Sequence, residues 1–278
     1  MPELPEVQTT VNGLQAIINK EIFEIVINTK KLRYLIPLNV KKIAKNKRII
    51  SIYRLAKYII FNLADDVSLI FHLGMSGRLR ILNIADYREK KHDHVLIKLK
   101  NNIIILNDPR RFGLFDVSST SKIQNKNYFV KLGLDPFDNR LNQRYMLDKI
   151  SNSRAPIKQL LLNQSIISGI GNIYANEILY DAKISPFIPA LYLKFSQINQ
   201  LIKSIRKILK KAIIAGGTSI KNYRSTNGIL GNFQKKFKVY DRENKKNYKF
   251  KIYKVTQYGR STFYCPGIQK SKFNPKVS

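Results

Sequence analysis

Apolar residues near the start of the chain recur at the spacing of a helix. Val7, Val11, Leu14 and Ile18 fall on one face of a helical repeat. Pro5 lies just before them, and proline is tolerated in the first turn of a helix because its missing N–H would have no intrahelical partner there. The pattern therefore predicts an amphipathic helix that opens the fold.

Short segments rich in Ile, Val, Phe and Tyr follow this helix. Several of them alternate apolar and polar residues, and turn residues separate them, which is typical of a β-sandwich or a barrel. The predicted strands span residues 22–27, 49–53, 58–63, 68–73, 78–82, 94–99 and 103–106.

The pattern changes near residue 135, where helical spacing replaces alternation. Helices are predicted over residues 141–150, 156–162, 173–182 and 195–215. Gly216 and Gly217 provide a C-terminal stop for the last helix. The apolar stripe of that helix consists of Phe195, Ile198, Ile202, Ile205, Leu209 and Ala212.

Alternation returns after residue 232, over residues 237–239 and again at Tyr248, Phe250 and Ile252, which predicts a small β-hairpin region. We therefore predict an α+β protein with three parts. These are an N-terminal helix and β domain over residues 1–134, a helical domain over 135–232 and a C-terminal hairpin domain over 233–278.

Charge restricts the class of partner. The chain has 50 Lys and Arg residues against 18 Asp and Glu, a formal net charge of +32, which indicates a polyanionic partner. Codon bias in an AT-rich genome also raises the number of Ile, Lys and Asn residues, but it does not explain the scarcity of acidic residues. A nucleic acid is favoured, and a membrane surface remains the alternative.

Cysteine usage and hydropathy exclude further classes. Cys265 is the only cysteine, which rules out an intramolecular disulfide and a zinc site with several cysteine ligands. No apolar run reaches the length of a membrane span, and the N-terminus lacks the basic-then-apolar order of a signal peptide. We therefore expect a cytoplasmic protein.

The N-terminus carries unusual chemistry. Pro2 is small, so we expect Met1 to be removed, which leaves a secondary amine at the start of the chain. An α-amino group titrates near about 8, and a neutral secondary amine that attacks a sugar C1′ can form an iminium. Glu3 and Glu6 would lie beside this amine as proton donors or relays. An ordinary helix start, where acidic residues favour the dipole, explains these residues equally well.

Seven short motifs occur along the chain. They are residues 2–7 (PELPEV), 55–58 (LAKY), 72–77 (HLGMSG), 91–94 (KHDH), 108–113 (DPRRFG), 169–175 (GIGNIYA) and 216–218 (GGT). Each motif alone is weak evidence, but seven in this order make a chance match improbable. The chain resembles the formamidopyrimidine-DNA glycosylase family from its first residue to about Cys265.

The resemblance implies a fold and a reaction. The family fold is an N-terminal helix with a β-sandwich, a helix–two-turns–helix domain and a C-terminal zinc finger. The reaction is removal of oxidised purines from DNA followed by β,δ-elimination at the abasic site. Pro2 resembles the Schiff-base nucleophile, Glu3 the general acid on the deoxyribose and Glu6 a proton relay. Lys57 matches the lysine near the lesion, although a solvated lysine beside a strand is an equally physical interpretation.

The resemblance also implies which residues enter the DNA. Met75, Arg110 and Phe112 match the residues that fill the gap left by an extruded nucleotide. A thioether, a guanidinium and an aromatic ring suit that task because they partly replace lost stacking and pairing. Without the motifs, Met75 and Phe112 would be interpreted as core residues and Arg111 as a partner of Asp108.

Further DNA contacts are expected at Asn172, Lys158, Arg260 and His92. Asn172 follows a glycine turn whose N–H groups suit a phosphate, although a simple helix connector needs the same glycines. Arg260 matches the family arginine that binds phosphates, and Lys158 is a further candidate. The polar segment after the last helix matches the loop that covers the everted base, and it comprises Thr218, Ser219, Ile220, Lys221, Asn222 and Tyr223.

The histidines and one buried glutamate are interpreted as structural. The segment from His92 to His94 has the composition of a hydrogen-bonded brace, and spacing identifies no third metal ligand for it or for His72. Glu177 is likewise expected to be structural. No metal site is predicted.

The C-terminal finger departs from the family pattern. The family's two Cys-x-x-Cys pairs would fall near Asn247 and Phe250 and near Cys265 and Ile268, where only Cys265 is a cysteine. Four-ligand zinc coordination is therefore lost, and we expect no cofactor at all.

Our hypothesis for this segment is a zincless finger, in which packing of Tyr248, Phe250, Ile252 and Phe263 replaces the metal. A structural zinc contributes strongly to small modules, so the replacement must be large or the finger must lean on the helical domain. The competing interpretation is a degraded, inactive finger, and retention of Arg260 favours the first.

Two other functions remain open. The related endonuclease VIII branch prefers oxidised pyrimidines, and Leu4 together with the gap-filling residues favours the purine branch. A catalytically silent DNA-binding relative is the second, and an intact Pro2 argues against it. A third interpretation, an RNA-binding protein, is supported by the net charge alone. The expected partner is damaged double-stranded DNA, bound by a bacterial, nucleoid-associated monomer with no membrane contact and no obligate protein partner.

Overall fold

The computed structural model describes residues 1–218, 231–243 and 250–275. Contacts divide the chain into two compact units, one of Met1–Val130 with Ile213–Gln234 and the other of Lys131–Ala212 with Lys235–Ser278. The predicted boundaries after residues 134 and 232 stay predictions about domains. By contact, the segment after the long helix belongs with the first unit, and the finger belongs with the other helices.

Helix α1 (Leu4–Leu14) opens the first unit, as predicted. Its apolar face, which includes Val7 and Val11, is buried. A reciprocal capping box between Glu3 and Glu6 satisfies N–H groups at the helix start that have no partner within the helix. The helix ends at Leu14, so Ile18 lies beyond it.

Two four-stranded antiparallel sheets form the body of the first unit. One has the order β1-β6-β7-β5 and the other β2-β3-β4-β8. A short helix α2 (Val40–Ile43) lies between β1 and β2 in sequence. The strands are β1 (Glu24–Ile27), β2 (Ile49–Leu55), β3 (Tyr58–Leu63), β4 (Val67–His72), β5 (Arg78–Asn83), β6 (Asp93–Lys98), β7 (Asn102–Asn107) and β8 (Leu114–Ser119).

Both sheets and α1 contribute to one apolar core. Val7, Phe61, Phe71, Ile97 and Ile104 all belong to it and are almost completely buried. Alternating side chains from two facing sheets are the ordinary way in which a β-sandwich builds its interior. The predicted α+β fold class with an N-terminal sandwich is therefore confirmed.

Strand β8 was not predicted from the sequence. Its first residues, Leu114 and Phe115, are buried, but the remaining positions are only partly so. The strand pairs with β4, where His72 lies opposite Leu114, and the Phe115 ring packs 4.9 Å from that of Phe71. Because burial does not alternate along β8, the sequence carries little of the period-2 pattern that marks a half-buried strand.

The four predicted helices are present. They are α3 (Gln143–Ile150), α4 (Ile157–Leu162), α5 (Asn172–Asp181) and α6 (Phe195–Ile214). The predicted stripe of α6 is buried from Ile198 to Ala212, but Phe195 at its start is 62% exposed. Gly216 and Gly217 follow the helix with φ of +75° and +73°, the left-handed conformation that ends helices.

The C-terminal hairpin lies later in the sequence than the alternation at residues 237–239 and 248–252 predicts. Strands β9 (Tyr253–Gln257) and β10 (Arg260–Tyr264) are antiparallel and joined at Tyr258 and Gly259. The prediction of strand structure at residues 237–239 was wrong, because the N–H groups there bond a buried carboxylate and not a neighbouring strand. Tyr248 lies outside the described residues. In the described part of the chain, no helix is long and apolar enough to cross a membrane.

Candidate functional site

The predicted catalytic residues at the N-terminus are held by one carboxylate. Glu3 and Glu6 are 3% and 1% exposed, and Pro2 between Met1 and Glu3 is also buried. One oxygen of Glu6, Oε2, accepts the backbone N–H of Glu3 at 2.9 Å. The other, Oε1, accepts both the N–H of Thr218 at 2.8 Å and its hydroxyl at 3.0 Å.

Thr218 is therefore an anchor for Glu6, and its assignment to a covering loop stays a prediction. Its side chain is only 3% exposed. Gly217 before it approaches Glu6 so closely that a Cβ there would lie 3.0 Å from Oε1. Both facts explain why a glycine and a small hydroxyl residue occupy these positions. The other five predicted loop residues, 219–223, lie outside the described residues.

Lys57 lies in the tight turn between β2 and β3. Leu55 pairs with Tyr58 across this turn, and Ala56 adopts a positive φ of 53°. The Lys57 side chain is 8% exposed, so it is not the solvated surface lysine of the alternative interpretation. The pKa of His72 is lowered to about 4, mainly because the imidazole is buried and secondly because the positive charge of Lys57 lies nearby.

Met75, Arg110 and Phe112 project from two adjoining turns of the first unit. Met75 is 43% exposed and Phe112 45% exposed, which excludes the interpretation of both as core residues. The guanidinium carbon of Arg110 lies 4.8 Å from the centre of the Phe112 ring. An exposed thioether beside a stacked cation and ring forms a surface suited to insertion between bases.

The buried carboxylate of Asp108 bonds groups in both turns, and Asp108 is not the side-chain ion-pair partner of Arg111 that the alternative interpretation supposed. It is completely buried, and its carboxylate accepts the Ser76 hydroxyl at 2.6 Å and the Gly113 N–H at 2.7 Å. The N–H of Arg110 lies 3.3 Å from the same carboxylate. From the sequence, Asp108 was interpreted only as a possible pair for Arg111, and Ser76 was assigned no role although it lies in the motif at residues 72–77.

His72 and His94 bond backbone groups within the fold. The ring of His72 accepts the N–H of Gly74 through Nδ1 at 3.0 Å, and Nε2 of His94 lies 2.9 Å from the carbonyl of Asp108. Asp93 lies between His92 and His94 in sequence. Its carboxylate accepts hydrogen bonds from Arg80 and Asn107, as the predicted brace requires. Among the residues that the structure describes, no group of three or more His, Cys, Asp and Glu could hold a metal ion.

His92 remains the candidate DNA contact among the histidines. It is partly exposed and adopts a positive φ of 75°, while its ring lies 6.0 Å from that of His94. Its assignment to DNA binding stays a prediction.

In the second unit, Lys158 and Asn172 bond the strand that begins at Arg260. The ammonium of Lys158 donates to the carbonyl of Ser261 at 2.9 Å and to the hydroxyl of Thr262 at 2.7 Å, and the side chain is 1% exposed. The structure thus corrects the prediction that Lys158 contacts a phosphate directly, because its ammonium is buried against β10.

Asn172 begins α5, and its Nδ2 donates to the same carbonyl of Ser261 at 3.0 Å. Its Oδ1 is buried and accepts no hydrogen bond from the described residues. Arg260 is exposed at the first position of β10. Asn172 and Lys158 therefore hold the residue next to an exposed arginine, which fixes where that cation stands.

Glu177 is structural, as expected. The side chain is 1% exposed, and its carboxylate accepts the backbone N–H groups of Lys238, Val239 and Tyr240 at 2.8 to 3.1 Å. Burial raises the pKa of this carboxyl, and the three amide donors oppose that effect. Glu177 thereby holds the start of the finger against α5.

The residues at the family's zinc positions do not fit a zinc ion. Cys265 is 2% exposed within an apolar cluster with Val239, Ile252 and Phe263, and Ile268 packs against this cluster. Burial raises the pKa of the Cys265 thiol and so disfavours the thiolate that binds metals. Residues 244–249, which the structure does not describe, contain no Cys, His, Asp or Glu.

Only part of the predicted packing is present. Ile252 and Phe263 lie in the apolar cluster as expected, but Phe250 is 41% exposed and packs against Gly267. Polar residues also hold the finger, since Asn176 accepts the N–H of Phe263 at 2.9 Å. Gln269 accepts the N–H of Cys265 and donates to a carbonyl before the finger, both at 2.8 Å.

Comparison with known proteins agrees with this geometry. The sequence-family model for the formamidopyrimidine-DNA glycosylase N-terminal domain matches residues 1–115, and the one for the formamidopyrimidine-DNA glycosylase H2TH domain matches residues 132–224. The Zymomonas mobilis formamidopyrimidine-DNA glycosylase is 44% identical over 274 residues, which cover 97% of this chain and 100% of the relative. The Rickettsia africae protein of the same name is 42% identical over 276 residues, which cover 98% of this chain and 100% of the relative.

Solved structures give the same result. A Lactococcus lactis FPG mutant in complex with DNA containing Fapy-dG superposes with a TM-score of 0.89 at 34% identity, covering 97% of this chain and 100% of the other. The Lactococcus lactis Fpg bound to DNA with an abasic site has a TM-score of 0.88 with the same identity and coverage. The chain belongs to the formamidopyrimidine-DNA glycosylase family.

Proposed function

We propose that this protein is a base-excision-repair enzyme that releases 8-oxoguanine and formamidopyrimidines from DNA and then cleaves the abasic site. The observation that carries the proposal is the buried Glu3 and Glu6 pair beside Pro2, held in place by Thr218. Two buried, hydrogen-bonded carboxylates beside an amine at the chain start form the kind of cluster in which proton transfer can be arranged. Solved relatives bound to Fapy-dG and abasic DNA support the same substrates.

The reaction begins once Met1, which is 51% exposed, has been removed. The Pro2 nitrogen then forms a bond to C1′ while the bond from C1′ to the damaged base breaks, and the N–H proton of the amine passes to the departing base. Glu3 donates a proton to the ring oxygen as the sugar opens, and the nitrogen lone pair completes an iminium. Glu6 relays protons, and its three hydrogen bonds keep the backbone of Glu3 in place.

The iminium makes the C2′ proton acidic, and this allows two eliminations. Loss of that proton expels the 3′ phosphate, and a second elimination expels the 5′ phosphate. Hydrolysis finally frees Pro2 from the sugar fragment. The product is a one-nucleotide gap with phosphate at both ends, and no diffusible cofactor takes part.

Binding requires that the damaged nucleotide leaves the helix. We propose that Met75, Arg110 and Phe112 fill the gap, since eversion costs a few kcal/mol of stacking and pairing that an inserted ring and guanidinium can replace. Arg110 can also bond the cytosine left without its partner. Lys57, His92, Asn172 and Arg260 are proposed to bind phosphates around the lesion, consistent with the net charge of +32.

A trapping experiment tests the reaction. Borohydride reduces an iminium to a stable amine, so the protein should become covalently attached to an 8-oxoguanine:C duplex and to an abasic duplex. Pro2→Gly should greatly weaken trapping while DNA binding persists. Absence of an adduct with the unmodified protein would favour the silent DNA-binding relative. Mass spectrometry that finds Met1 on the active protein would contradict the nucleophile.

Oxidised pyrimidines are the second candidate substrates. One solved Lactococcus lactis Fpg, with a TM-score of 0.87, is described as a complex with DNA containing an oxidized pyrimidine. Single-turnover cleavage of 8-oxoguanine:C and thymine glycol:A duplexes, measured side by side, distinguishes the two. Faster cleavage of the thymine glycol duplex would overturn the purine assignment.

We also propose that the finger works without zinc. Cys265 lies in an apolar cluster, and Glu177 and Lys158 bond the finger backbone where a metal would otherwise organise it. Purified protein should contain no stoichiometric zinc, and a chelator should change neither its melting temperature nor its DNA affinity. A Phe263→Ala variant should lower both. Stoichiometric zinc, or loss of DNA binding on chelation, would contradict the proposal.

A further inference from the structure

Two turns of the first unit carry all three side chains that are proposed to enter the DNA. The Met75 turn comprises residues 73–77 and is closed by a bond from the N–H of Gly77 to the carbonyl of Leu73 at 2.8 Å. The arginine turn comprises residues 108–113 and is closed by a bond from the N–H of Arg111 to the carbonyl of Asp108 at 3.2 Å. The turns are separated in sequence by strands β5 to β7.

A buried polar cluster joins the two turns. The Ser76 hydroxyl donates to Asp108 at 2.6 Å and accepts the N–H of Arg110 at 3.2 Å. The carboxylate of Asp108 also accepts the N–H of Gly113 at 2.7 Å. Asp108 is completely buried and Ser76 is 8% exposed, so water competes little for these bonds. Every donor that the carboxylate binds here belongs to one of the two turns.

Backbone contact reinforces the polar cluster. Gly74 has a φ of +61°, and a Cβ on it would lie 2.4 Å from the carbonyl carbon of Phe112. A Cβ on Gly113 would lie 2.8 Å from the carbonyl oxygen of His72. The turns therefore touch through their backbones, which limits the displacement of one against the other.

We propose that Asp108 and Ser76 are positioning residues that lock the two turns into a single rigid wedge. Met75, Arg110 and Phe112 then enter the DNA as one preformed surface, and no ordering cost arises when the base leaves the stack. The lock acts on eversion and not on chemistry at the sugar. This inference rests on the proposed function and adds two residues to it that do not touch the substrate.

The lock has a distinct kinetic consequence. A lesion paired with cytosine in a duplex must be everted against stacking and pairing, whereas a lesion in a single strand leaves no opposite base to support. Loss of the lock should slow the first substrate and spare the second. A residue that only stabilised the fold would affect both substrates alike.

Ser76→Ala is the primary test, because it removes one hydroxyl from the lock and leaves the backbone unchanged. Ser68→Ala is the matched control, since Ser68 is likewise a buried serine of the first unit but bonds Asn62 and Thr120, away from the turns. Single-turnover excision of 8-oxoguanine opposite cytosine should fall about tenfold in Ser76→Ala, the usual effect of losing one buried bond to a charged group. Borohydride trapping on a single-stranded abasic site should stay unchanged, and Ser68→Ala should match the unmodified protein on both substrates.

A second variant separates the lock from the inserted side chain. If Ser76 acts through Met75, then Ser76→Ala should cost much less in a Met75→Ala background than it costs alone. Full additivity, or an equal loss on duplex and single strand, would overturn the proposal. Asp108→Asn should repeat the pattern of Ser76→Ala, because an amide cannot accept all three donors.

Failure of the proposed function gives a different result. If the unmodified protein traps on neither substrate, the proposed reaction is wrong, and the lock is overturned together with it. If it traps normally and Ser76→Ala behaves like Ser68→Ala, only the lock is wrong.

Discussion

Glu6 and Thr218 are 212 residues apart in sequence, and two hydrogen bonds of 2.8 and 3.0 Å join them at the N-terminus. The carboxylate binds both the backbone N–H and the hydroxyl of the threonine through a single oxygen. The other oxygen holds the N–H of Glu3 at 2.9 Å. The position of the proposed general acid thus depends on a residue from the far end of the chain.

Removal of the Thr218 hydroxyl tests this dependence. Thr218→Val has the same shape but loses the 3.0 Å bond, while the backbone N–H of residue 218 still reaches Glu6. We expect a loss of about 1–2 kcal/mol in the free energy of unfolding and slower single-turnover base release. Thr9→Val is the control, since that hydroxyl bonds only the carbonyl of Pro5. Equal rates for the two variants would show that Thr218 does not position Glu6.

Stability should depend on pH through His72. Its pKa is lowered to about 4, first by burial and then by Lys57 and Arg33, while Asp108 acts in the opposite direction. The unfolded chain binds this proton near pH 6.5, so the folded state loses stability as pH falls from about 6.5 to 4.

A non-titrating acceptor isolates that contribution. His72→Asn can still accept the N–H of Gly74, which the imidazole accepts at 3.0 Å, but it takes up no proton in this range. Denaturant unfolding from pH 4 to 7 should show a loss about 1–3 kcal/mol smaller for the variant than for the unmodified protein. Because both proteins contain the same carboxylates, the contribution of these groups to the pH dependence cancels when one curve is subtracted from the other. Parallel curves would mean that His72 binds its proton equally in both states.

Two glycines with left-handed backbones separate strain from steric clash. Gly74 and Gly259 have φ of +61° and +69°, but only at Gly74 would an added Cβ have backbone atoms within 4 Å, the nearest at 2.4 Å. Gly259→Ala should cost only the backbone term of about 1–2 kcal/mol. Gly74→Ala adds overpacking and should cost roughly 2–5 kcal/mol, measured by chemical denaturation. Similar costs for both would argue against contact between the two turns.

Arg260 should contribute to DNA affinity through charge. It is exposed at the start of β10, where Lys158 and Asn172 fix the next residue. Arg260→Ala should weaken binding to all sequences and reduce the slope of log affinity against log salt by about 1. Lys254→Ala on the same hairpin is the control, because its ammonium already lies 3.2 Å from Glu243. An unchanged salt slope in Arg260→Ala would exclude a phosphate contact.

Local patterns predicted most of the secondary structure. Residues 58–63 were predicted as a strand with the bounds that β3 has, and the stripe from Ile198 to Ala212 correctly marked the buried face of α6. These signals can be detected because side chains that face the core recur at a fixed spacing along a strand or a helix, and that spacing appears in nearby residues of the sequence. The seven motifs likewise identified the family without any tertiary information.

Tertiary structure alone decided the partners of the buried polar groups. The sequence singled out Glu6, Asp108 and Lys158, yet Thr218, Ser76 and Thr262, which they bond, lie 212, 32 and 104 positions away. Hydrophobic periodicity is local and repeats along the chain, so it survives in one dimension. A buried polar group bonds whichever partner the folded chain brings within reach, and only the tertiary structure determines which residue that is.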